Sequence, residues 1–208
     1  MKSATTHTRD RYLQAREKNK MIKEIINSIF PISVNSINEI EDILEFKSVD
    51  KGDTFIKRNK RNTNEYFILE GICRSYLISP EGEEITLSFF TSNSILSPYS
   101  TRTKEEISQL NFQALTDVKL SSMNAFKFEE LMINNLEIRR FGNAVLRNEL
   151  TMKVDKEIGL ASLTAKERLL KFREQYPMLE NLIPHTDIAS YLGITNISLS
   201  RLRRDLAR

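Results

Sequence analysis

Polar and cationic side chains recur at helical spacing close to the end of the chain. On a helix that begins near Asn196 they share one face, while Leu199 and Leu202 point to the opposite side. Amide, hydroxyl and guanidinium groups form hydrogen bonds with base edges and phosphates in the major groove of double-stranded DNA. The spacing therefore predicts a DNA-contacting face that comprises Asn196, Ile197, Ser200, Arg201 and Arg204, with Arg208 on the same outer face.

A helix-turn-helix motif accounts for the residues around this face. Ile188, Ala189 and Leu192 lie at the positions of a first helix, and Gly193 suits the left-handed conformation that ends it. Ala189 must be small because the second helix crosses close above it. Thr195 is a suitable N-cap for that second helix. A solvated basic helix in an ordinary helical hairpin would show a similar pattern and is the alternative.

The motif also places hydroxyl and imidazole groups near the points where its two helices begin. Groups at such positions can reach the DNA backbone, where a contact fixes the protein's register without reading sequence. We therefore predict that Thr195, Ser198 and His185 complete the DNA interface. Ser198, His185 and Arg204 are expected to face phosphates, where losing a contact weakens binding to all sequences alike.

A long helix is predicted from Leu136 to about Ala161, and it carries two apolar stripes. One stripe contains Ile138, Phe141, Val145 and Met152, and the other contains Leu146, Leu150, Val154 and Ile158. Two apolar faces need two partners, which we assign to the preceding domain and to the same helix of a second subunit. Burial inside one globular domain is the alternative. The residues predicted at the dimer interface are Ile138, Phe141, Val145, Leu146 and Met152.

The centre of the chain has the pattern of a small β domain. Between Val49 and Leu120, short apolar runs are separated by turn residues such as Gly71 and Gly82. This pattern predicts a β-barrel or roll, and the helices on either side make the fold class α+β. Before it, the segments MIKEIINSIF and VNSINEIEDILEFKSV predict two amphipathic helices.

Thr164 and Glu167 match the spacing of a capping box, so a new helix and a new domain are expected to start there. The expected organisation is therefore a flexible N-terminal arm at residues 1–20, a β-roll sensor domain with flanking helices at 21–135, a dimerisation helix at 136–161 and a helix-turn-helix DNA-binding domain at 162–208.

The composition restricts the classes of function. The chain has 208 residues, a formal net charge of +3, one cysteine and two histidines. A single cysteine excludes an intrachain disulfide and cysteine-based zinc or iron–sulfur sites, and Cys73 is interpreted as a buried strand residue rather than a reactive thiol or haem ligand. His7 and His185 lie outside the predicted roll, so a histidine-based metal centre is not expected there.

No apolar run approaches the roughly 20 residues that span a bilayer. No glycine-rich phosphate loop or nucleophile elbow is present in the sequence. We therefore expect a cytoplasmic protein that is not an enzyme, with no membrane partner, no cofactor and no metal.

The order of these features resembles the Crp/Fnr superfamily of bacterial transcription regulators. The stretch FILEGICRSYLISPEGEEITLSFF is similar to the roll of that family, a double-stranded β-helix like that of cyclic-nucleotide-binding domains. The stretch IASYLGIT is similar to its reading head, and the resemblance covers roughly residues 21 to 208. The resemblance implies a homodimer that binds a two-fold symmetric operator, with sensing in the roll and with RNA polymerase as a partner if the regulator is an activator.

The resemblance also bears on individual sites. Arg201 matches a family position that contacts a guanine, so O6 and N7 are its expected partners. Where cyclic-nucleotide binders carry Gly-Glu and then Arg-Ser or Arg-Thr, this chain has Ser97-Pro98 and Ser108-Gln109. A buried phosphate would lack its cation there, so no response to cyclic AMP is expected unless Arg102 substitutes. The small-molecule effector is therefore left unknown.

Family members usually continue after the recognition helix with a β-hairpin wing. The sequence ends at Arg208, which predicts a helix-turn-helix domain lacking the final wing. A ligand-sensing or protein-interaction module of the same fold, without specific DNA binding, is the alternative function. The outward-facing arginines of the second helix favour DNA binding over that alternative.

Overall fold

The computed structural model describes residues 17–207, in which a β-roll is followed by a helical region. The helices are α1 (residues 17–29), α2 (Val34–Glu41), α3 (Pro98–Arg102), α4 (Ala125–Asn134), α5 (Leu136–Ser162), α6 (Ala165–Gln175), α7 (His185–Leu192) and α8 (Asn196–Leu206), with a 3₁₀ turn at Leu179–Asn181. The strands are β1 (Leu44–Val49), β2 (Thr54–Ile56), β3 (Asn64–Glu70), β4 (Cys73–Ile78), β5 (Glu84–Phe90), β6 (Ser94–Leu96), β7 (Thr103–Lys104), β8 (Ile107–Ser108), β9 (Asn111–Ala114) and β10 (Val118–Asn124). The predicted α+β class is confirmed.

Two four-stranded antiparallel sheets form the roll. One has the strand order β1-β10-β3-β6 and the other β2-β9-β4-β5, while β7 and β8 form a separate small hairpin. Gly71 makes the turn from β3 to β4 with a φ of +95°, and a Cβ there would collide with the backbone oxygen of Asp117. Only glycine suits this turn, because it tolerates both the positive φ and the close approach.

Strand β3 is buried on both faces, which explains its continuous apolar sequence. Ile68 faces the inside of the roll, where it packs with residues such as Phe112 and Leu120. Its neighbour Phe67 faces outward and packs with Ile22 of α1 and other residues of the flanking helices. Since successive side chains of a strand point to opposite faces, one strand serves two cores.

Helix α5 leaves the roll and leads to the helical region that contains α6, α7 and α8. Asn135 caps α5, accepting hydrogen bonds from Glu137 N at 3.0 Å and Ile138 N at 3.4 Å. The predicted capping box starts α6, with Thr164 Oγ1 accepting from Glu167 N at 3.3 Å and the Glu167 carboxylate accepting from Thr164 N at 2.8 Å. No helix within residues 17–207 is both long and apolar enough to cross a lipid bilayer.

The N-terminal part of the chain differs from the prediction at two places. The helix predicted for VNSINEIEDILEFKSV ends at Glu41, and its second half forms strand β1, because residues 44–49 pair with β10 and that pairing overrides the local helical pattern. Residues 17–20, assigned to the flexible arm, are helical and belong to α1. The rest of the predicted arm, including His7, lies outside the described residues.

Candidate nucleic-acid interface

The turn between α7 and α8 has the geometry that the sequence predicts. Gly193 is left-handed, with φ +65° and ψ +39°, and Ile194 N donates to Ala189 O at 3.0 Å. Thr195 is the N-cap of α8, and its Oγ1 accepts a hydrogen bond from Ser198 N at 3.2 Å. The two helices are therefore held in a fixed crossing by local bonds.

One face of α8 packs inward and the other is open to solvent. Leu199 is 1% exposed and Leu202 packs against the same core, whereas Ile197 is 66% exposed. Asn196, Ser200, Arg201 and Arg204 are exposed, and Ser198 is half-buried. Asn196, Ile197, Ser200, Arg201 and Arg204 are thus brought together on the outward side of α8. Thr195 and His185 lie instead at the N-terminal ends of α8 and α7.

Arg203 lies between Arg201 and Arg204 in sequence but is used inside the protein. Its Nε lies 2.6 Å from Glu180 Oε1, and Glu180 also binds Arg173 of α6 at 2.7 Å. Burial opposes ionisation of Glu180, but the hydrogen bonds and charges of Arg173 and Arg203 outweigh it, so its pKa is lowered. The sequence did not predict this link between α6 and α8, because a single carboxylate in a short 3₁₀ turn carries no local signal.

His185 begins α7 beside the same arginine. Its ring is exposed, and its Nε2 and Nδ1 lie 2.8 Å and 3.0 Å from Arg203 Nη1. Arg201 and Arg204, in contrast, have no carboxylate partner within the part of the chain that the structure describes. The outward face of α8 therefore presents two arginines whose charges are not neutralised by those residues.

The apolar face of α5 divides into a buried part and an exposed part. Ile138 and Phe141 are fully buried in the core formed with α1, α2 and α4, and Val145 is half-buried against it. The prediction of Ile138 and Phe141 at a dimer interface is corrected by this burial, because their surfaces are already covered within the protomer. Beyond this core, the exposed apolar residues along the helix include Leu146 at 38%, Leu150 at 62%, Met152 at 49%, Val154 at 42% and Ile158 at 55%.

A cleft of about 1170 Å³ lies between the roll, α5 and the helix-turn-helix motif. Arg102, the one cation considered for a bound phosphate, lies in this cleft but forms an ion pair with Glu149 of α5. Its guanidinium also stacks over the rings of Phe90 and Phe112, at 5.4 Å and 5.9 Å. The charge of Arg102 is thus already balanced within the chain.

The residues aligned with the family's nucleotide-binding pairs have structural roles here. Pro98 begins α3, and Ser108 is fully buried, with its Oγ donating to Leu110 O at 2.8 Å. The buried carboxylate of Glu65 accepts hydrogen bonds from the backbone N–H of Ser100 at 3.0 Å and of Tyr99 at 3.4 Å. An anion of the protein itself therefore occupies the N-terminal end of α3, and burial raises the pKa of Glu65 to about 7.

Comparisons with known proteins agree with this architecture. The cyclic nucleotide-binding domain family matches residues 46–135. Electron transport regulator A of Shewanella oneidensis is 23% identical over 185 residues, covering 83% of this chain and 73% of that protein.

Solved structures extend the likeness to the helical region. FixK2 from Bradyrhizobium japonicum superposes with a TM-score of 0.69 at 20% identity, covering 79% of this chain and 85% of that one. A protein from Eubacterium rectale, described as a regulator of the Crp/Fnr family, gives 0.67 at 20% identity, covering 86% and 88%. Residues 46–135 therefore match the cyclic nucleotide-binding domain family, and the chain has the fold of a solved regulator of the Crp/Fnr family, in agreement with the resemblance that the sequence predicts.

Proposed function

We propose that the protein is a transcription regulator that binds a two-fold symmetric DNA operator as a homodimer. The observation that carries this proposal is the outward face of α8, where Arg201 and Arg204 are exposed beside the amide of Asn196. A helix with such a face fits the major groove, and its cations offset the charge of the phosphates. The regulators with the same fold support the assignment and favour a non-catalytic role.

Within this interface, we assign base contacts to the first two turns of α8. Arg201 is expected to bond O6 and N7 of a guanine, and Asn196 to favour an adenine. Ile197, which is 66% exposed, can contact the methyl group of a thymine. The hydroxyl groups of Thr195, Ser198 and Ser200, together with His185 and Arg204, are assigned to the DNA backbone.

The homodimer is proposed to form through the exposed stripe of α5. Leu146, Leu150, Val154 and Ile158 repeat every four residues and are each at least 38% exposed in the protomer. An apolar stripe of this kind on a long helix is covered by the same stripe of a second helix in a coiled coil. If the regulator activates transcription, RNA polymerase is the further partner.

We propose that cyclic AMP is not the effector. Two features support this: Arg102 is paired with Glu149, and the carboxylate of Glu65 occupies the N-terminal end of α3. A cyclic phosphate would have to displace a carboxylate of the protein at either place. The arginine that cyclic-nucleotide binders of the family carry for this phosphate is also missing, because Ser108 stands at its position. Calorimetric titration with cyclic AMP should give no heat of specific binding, and micromolar binding would contradict the proposal.

The test of DNA binding begins with selection of bound sequences from a library of random duplexes. Arg201→Ala should relax the preference at one base pair of each half-site, because losing a bidentate contact costs about 1–3 kcal/mol. Arg204→Ala should weaken binding to all sequences alike and reduce its salt dependence. Arg58→Ala, which removes an exposed arginine of the roll, is the control for overall charge. Equal losses on all sequences for both helix variants would leave Arg201 as a phosphate contact only.

The alternative function is a sensing or interaction module of the same fold that does not bind DNA specifically. Such a module would select no sequence from the library and would bind a random duplex weakly even at low salt, and this outcome would favour the alternative function. The uncompensated arginines on α8 are the observation against it.

A further inference from the structure

Arg74 is a buried arginine of β4 whose side chain reaches from the roll to the helix-turn-helix motif. Its side chain is 5% exposed, and Nη1 lies 2.6 Å from Asp187 Oδ1 of α7. The same guanidinium forms an ion pair with Glu84 of β5 and bonds to Gln113 Oε1 at 2.8 Å and 3.0 Å. A guanidinium with several fixed partners cannot swing freely, so it holds Asp187 at a defined point beside the roll.

A second contact lies one helical turn further along α7. Thr86 N of β5 donates to Ser190 Oγ at 2.8 Å, and Ser190 Oγ donates to Glu84 O at 3.1 Å. Two contacts one turn apart fix the rotation of α7 about its axis as well as its position. We call Arg74, Asp187 and Ser190 the head contact, and α6 to α8 the head.

The head contact leaves the proposed DNA-binding surface free. The side of α7 that carries Asp187 and Ser190 faces β5, while Asn196, Arg201 and Arg204 of α8 are exposed. The head can therefore remain on the roll while α8 meets DNA. The chain joins the head to α5 through two extended residues, Leu163 and Thr164, and Lys156 of α5 also contacts Tyr191 of the head.

The roll itself is fixed to α5, which completes a connection from the proposed dimer helix to the head. Arg102 of the roll pairs with Glu149 of α5, and Lys156 Nζ of α5 donates to Leu87 O of β5 at 2.7 Å. In a dimer built on α5, each head would thus be held by its own roll at a set place relative to the two-fold axis. That place determines how far apart the two copies of α8 lie.

We propose that the head contact, in which Arg74 is the central positioning residue, sets the half-site spacing that the dimer accepts on DNA. This inference rests on the proposed function, since it concerns the two recognition helices of a DNA-bound dimer. Half-sites read by a dimer lie about one helical turn of DNA apart, and a rigid pair of heads accepts one spacing. Without the head contact, the head still packs on the roll through apolar residues such as Phe89 and Phe172, but its rotation is less fixed. It can then reach several spacings, and it loses the preorganisation that favours the correct one.

The experiment uses the selected half-site in three kinds of duplex: one half-site alone, the inverted repeat at its selected spacing, and inverted repeats lengthened or shortened at the centre. Affinities are measured for the full-length protein, for Asp187→Asn and for Ser190→Ala. Asp50→Asn, which removes an exposed carboxylate from the roll, is the matched control for charge. Circular dichroism and sedimentation establish that each variant is folded and has the same association state as the unaltered protein.

The expected result is that the variants lose the preference for one spacing while each head still binds a single half-site normally. In both variants, the ratio of affinities between the selected spacing and altered spacings should fall about tenfold, in the usual range for coupling between sites. Affinity for the single half-site should not change, and Asp50→Asn should retain the full spacing preference. A merely structural role would lower all affinities together through loss of folded protein.

Three outcomes would overturn the inference. Unchanged spacing preference in both variants would show that the head contact does not set it. Tighter binding of the variants to the selected repeat would show that the head contact restrains an inactive arrangement. If one variant unfolds, the spacing preference of the other variant tests the inference. Unfolding of both variants would show that the head contact serves stability alone. Failure of the unaltered protein to select any sequence would instead contradict the proposed function.

Discussion

Lys156 Nζ of α5 lies 3.8 Å from the centre of the Tyr191 ring of α7, so a cation of the long helix rests on an aromatic residue of the helix-turn-helix motif. Tyr191 belongs to a group of aromatic rings with Phe89 of β5 and Phe172 of α6. Because Lys156 Nζ also donates to Leu87 O of β5 at 2.7 Å, the long helix, the roll and the helix-turn-helix motif meet at one ammonium group. Burial lowers the pKa of Lys156 from 10.5 to about 8.

This lowered pKa predicts a pH dependence of stability. Between pH 8 and 10.5 the folded protein binds fewer protons than the unfolded chain, so the contribution of Lys156 to the free energy of unfolding rises with pH there. Lys156→Met removes that titration. The stability of the unaltered protein minus that of the variant, measured by urea denaturation, should increase by a few kcal/mol from pH 7 to 10. Lys23→Met on the exposed side of α1 is the control, and a flat difference would contradict the prediction.

Glu65 predicts the opposite slope at lower pH. Burial raises its pKa from 4.5 to about 7, so the folded protein binds more protons than the unfolded chain between these values. Its contribution to stability is fully present below pH 4.5 and is lost as the pH rises through 7. Glu65→Gln should remove this decline. Comparison of midpoints of urea denaturation at pH 5 and 7.5 tests it, with Glu174→Gln on the exposed side of α6 as the control.

The ion pair between Arg102 and Glu149 predicts that removing one of the two charges strongly destabilises the folded protein. The side chains are 6% and 14% exposed, so Glu149→Gln leaves a buried guanidinium without its counter-charge. Such losses destabilise a protein by about 3–5 kcal/mol, whereas replacing both partners by apolar residues is much less harmful. The double variant Arg102→Met with Glu149→Leu should therefore be more stable than Glu149→Gln. The reverse order in thermal unfolding would contradict this explanation.

The exposed stripe of α5 predicts a variant that separates subunits without unfolding them. Leu150 is 62% exposed in the protomer, so Leu150→Glu leaves the protomer core unchanged. In a coiled-coil dimer it places two carboxylates in the apolar seam, which costs several kcal/mol. Sedimentation velocity should show half the mass of the unaltered protein. Asp155→Lys, a charge change on an exposed position outside the stripe, should leave the mass unchanged.

Features governed by neighbours in sequence could be predicted without the structure. The capping box of Thr164 and Glu167, the left-handed Gly193 and the N-cap Thr195 all act over three or four residues. Together with the buried Leu199, they define the motif and its outward face. The roll could be predicted for a similar reason, because local residues such as Gly71 mark its turns.

Features governed by distant residues could not be predicted in this way. Arg74 and Asp187 are 113 positions apart, and no periodicity in either segment indicates their contact. The apolar residues around Ile40 and Ile43 continue a helical spacing and so predict a helix through β1, and only pairing with β10 makes residues 44–49 extended. The burial of Ile138 and Phe141 within the protomer depends on how α1 and α4 pack, which α5 alone does not specify.

The bonds of Ser190 to β5 also bear on how molecules of this protein associate. β5 is the last strand of its sheet, so the N–H of Thr86 and the carbonyl of Glu84 would otherwise be open to pairing with another chain. With α7 in place, the hydroxyl group of Ser190 satisfies both. Conditions that lift the head from the roll would uncover this strand, and aggregation by strand addition at β5 would follow.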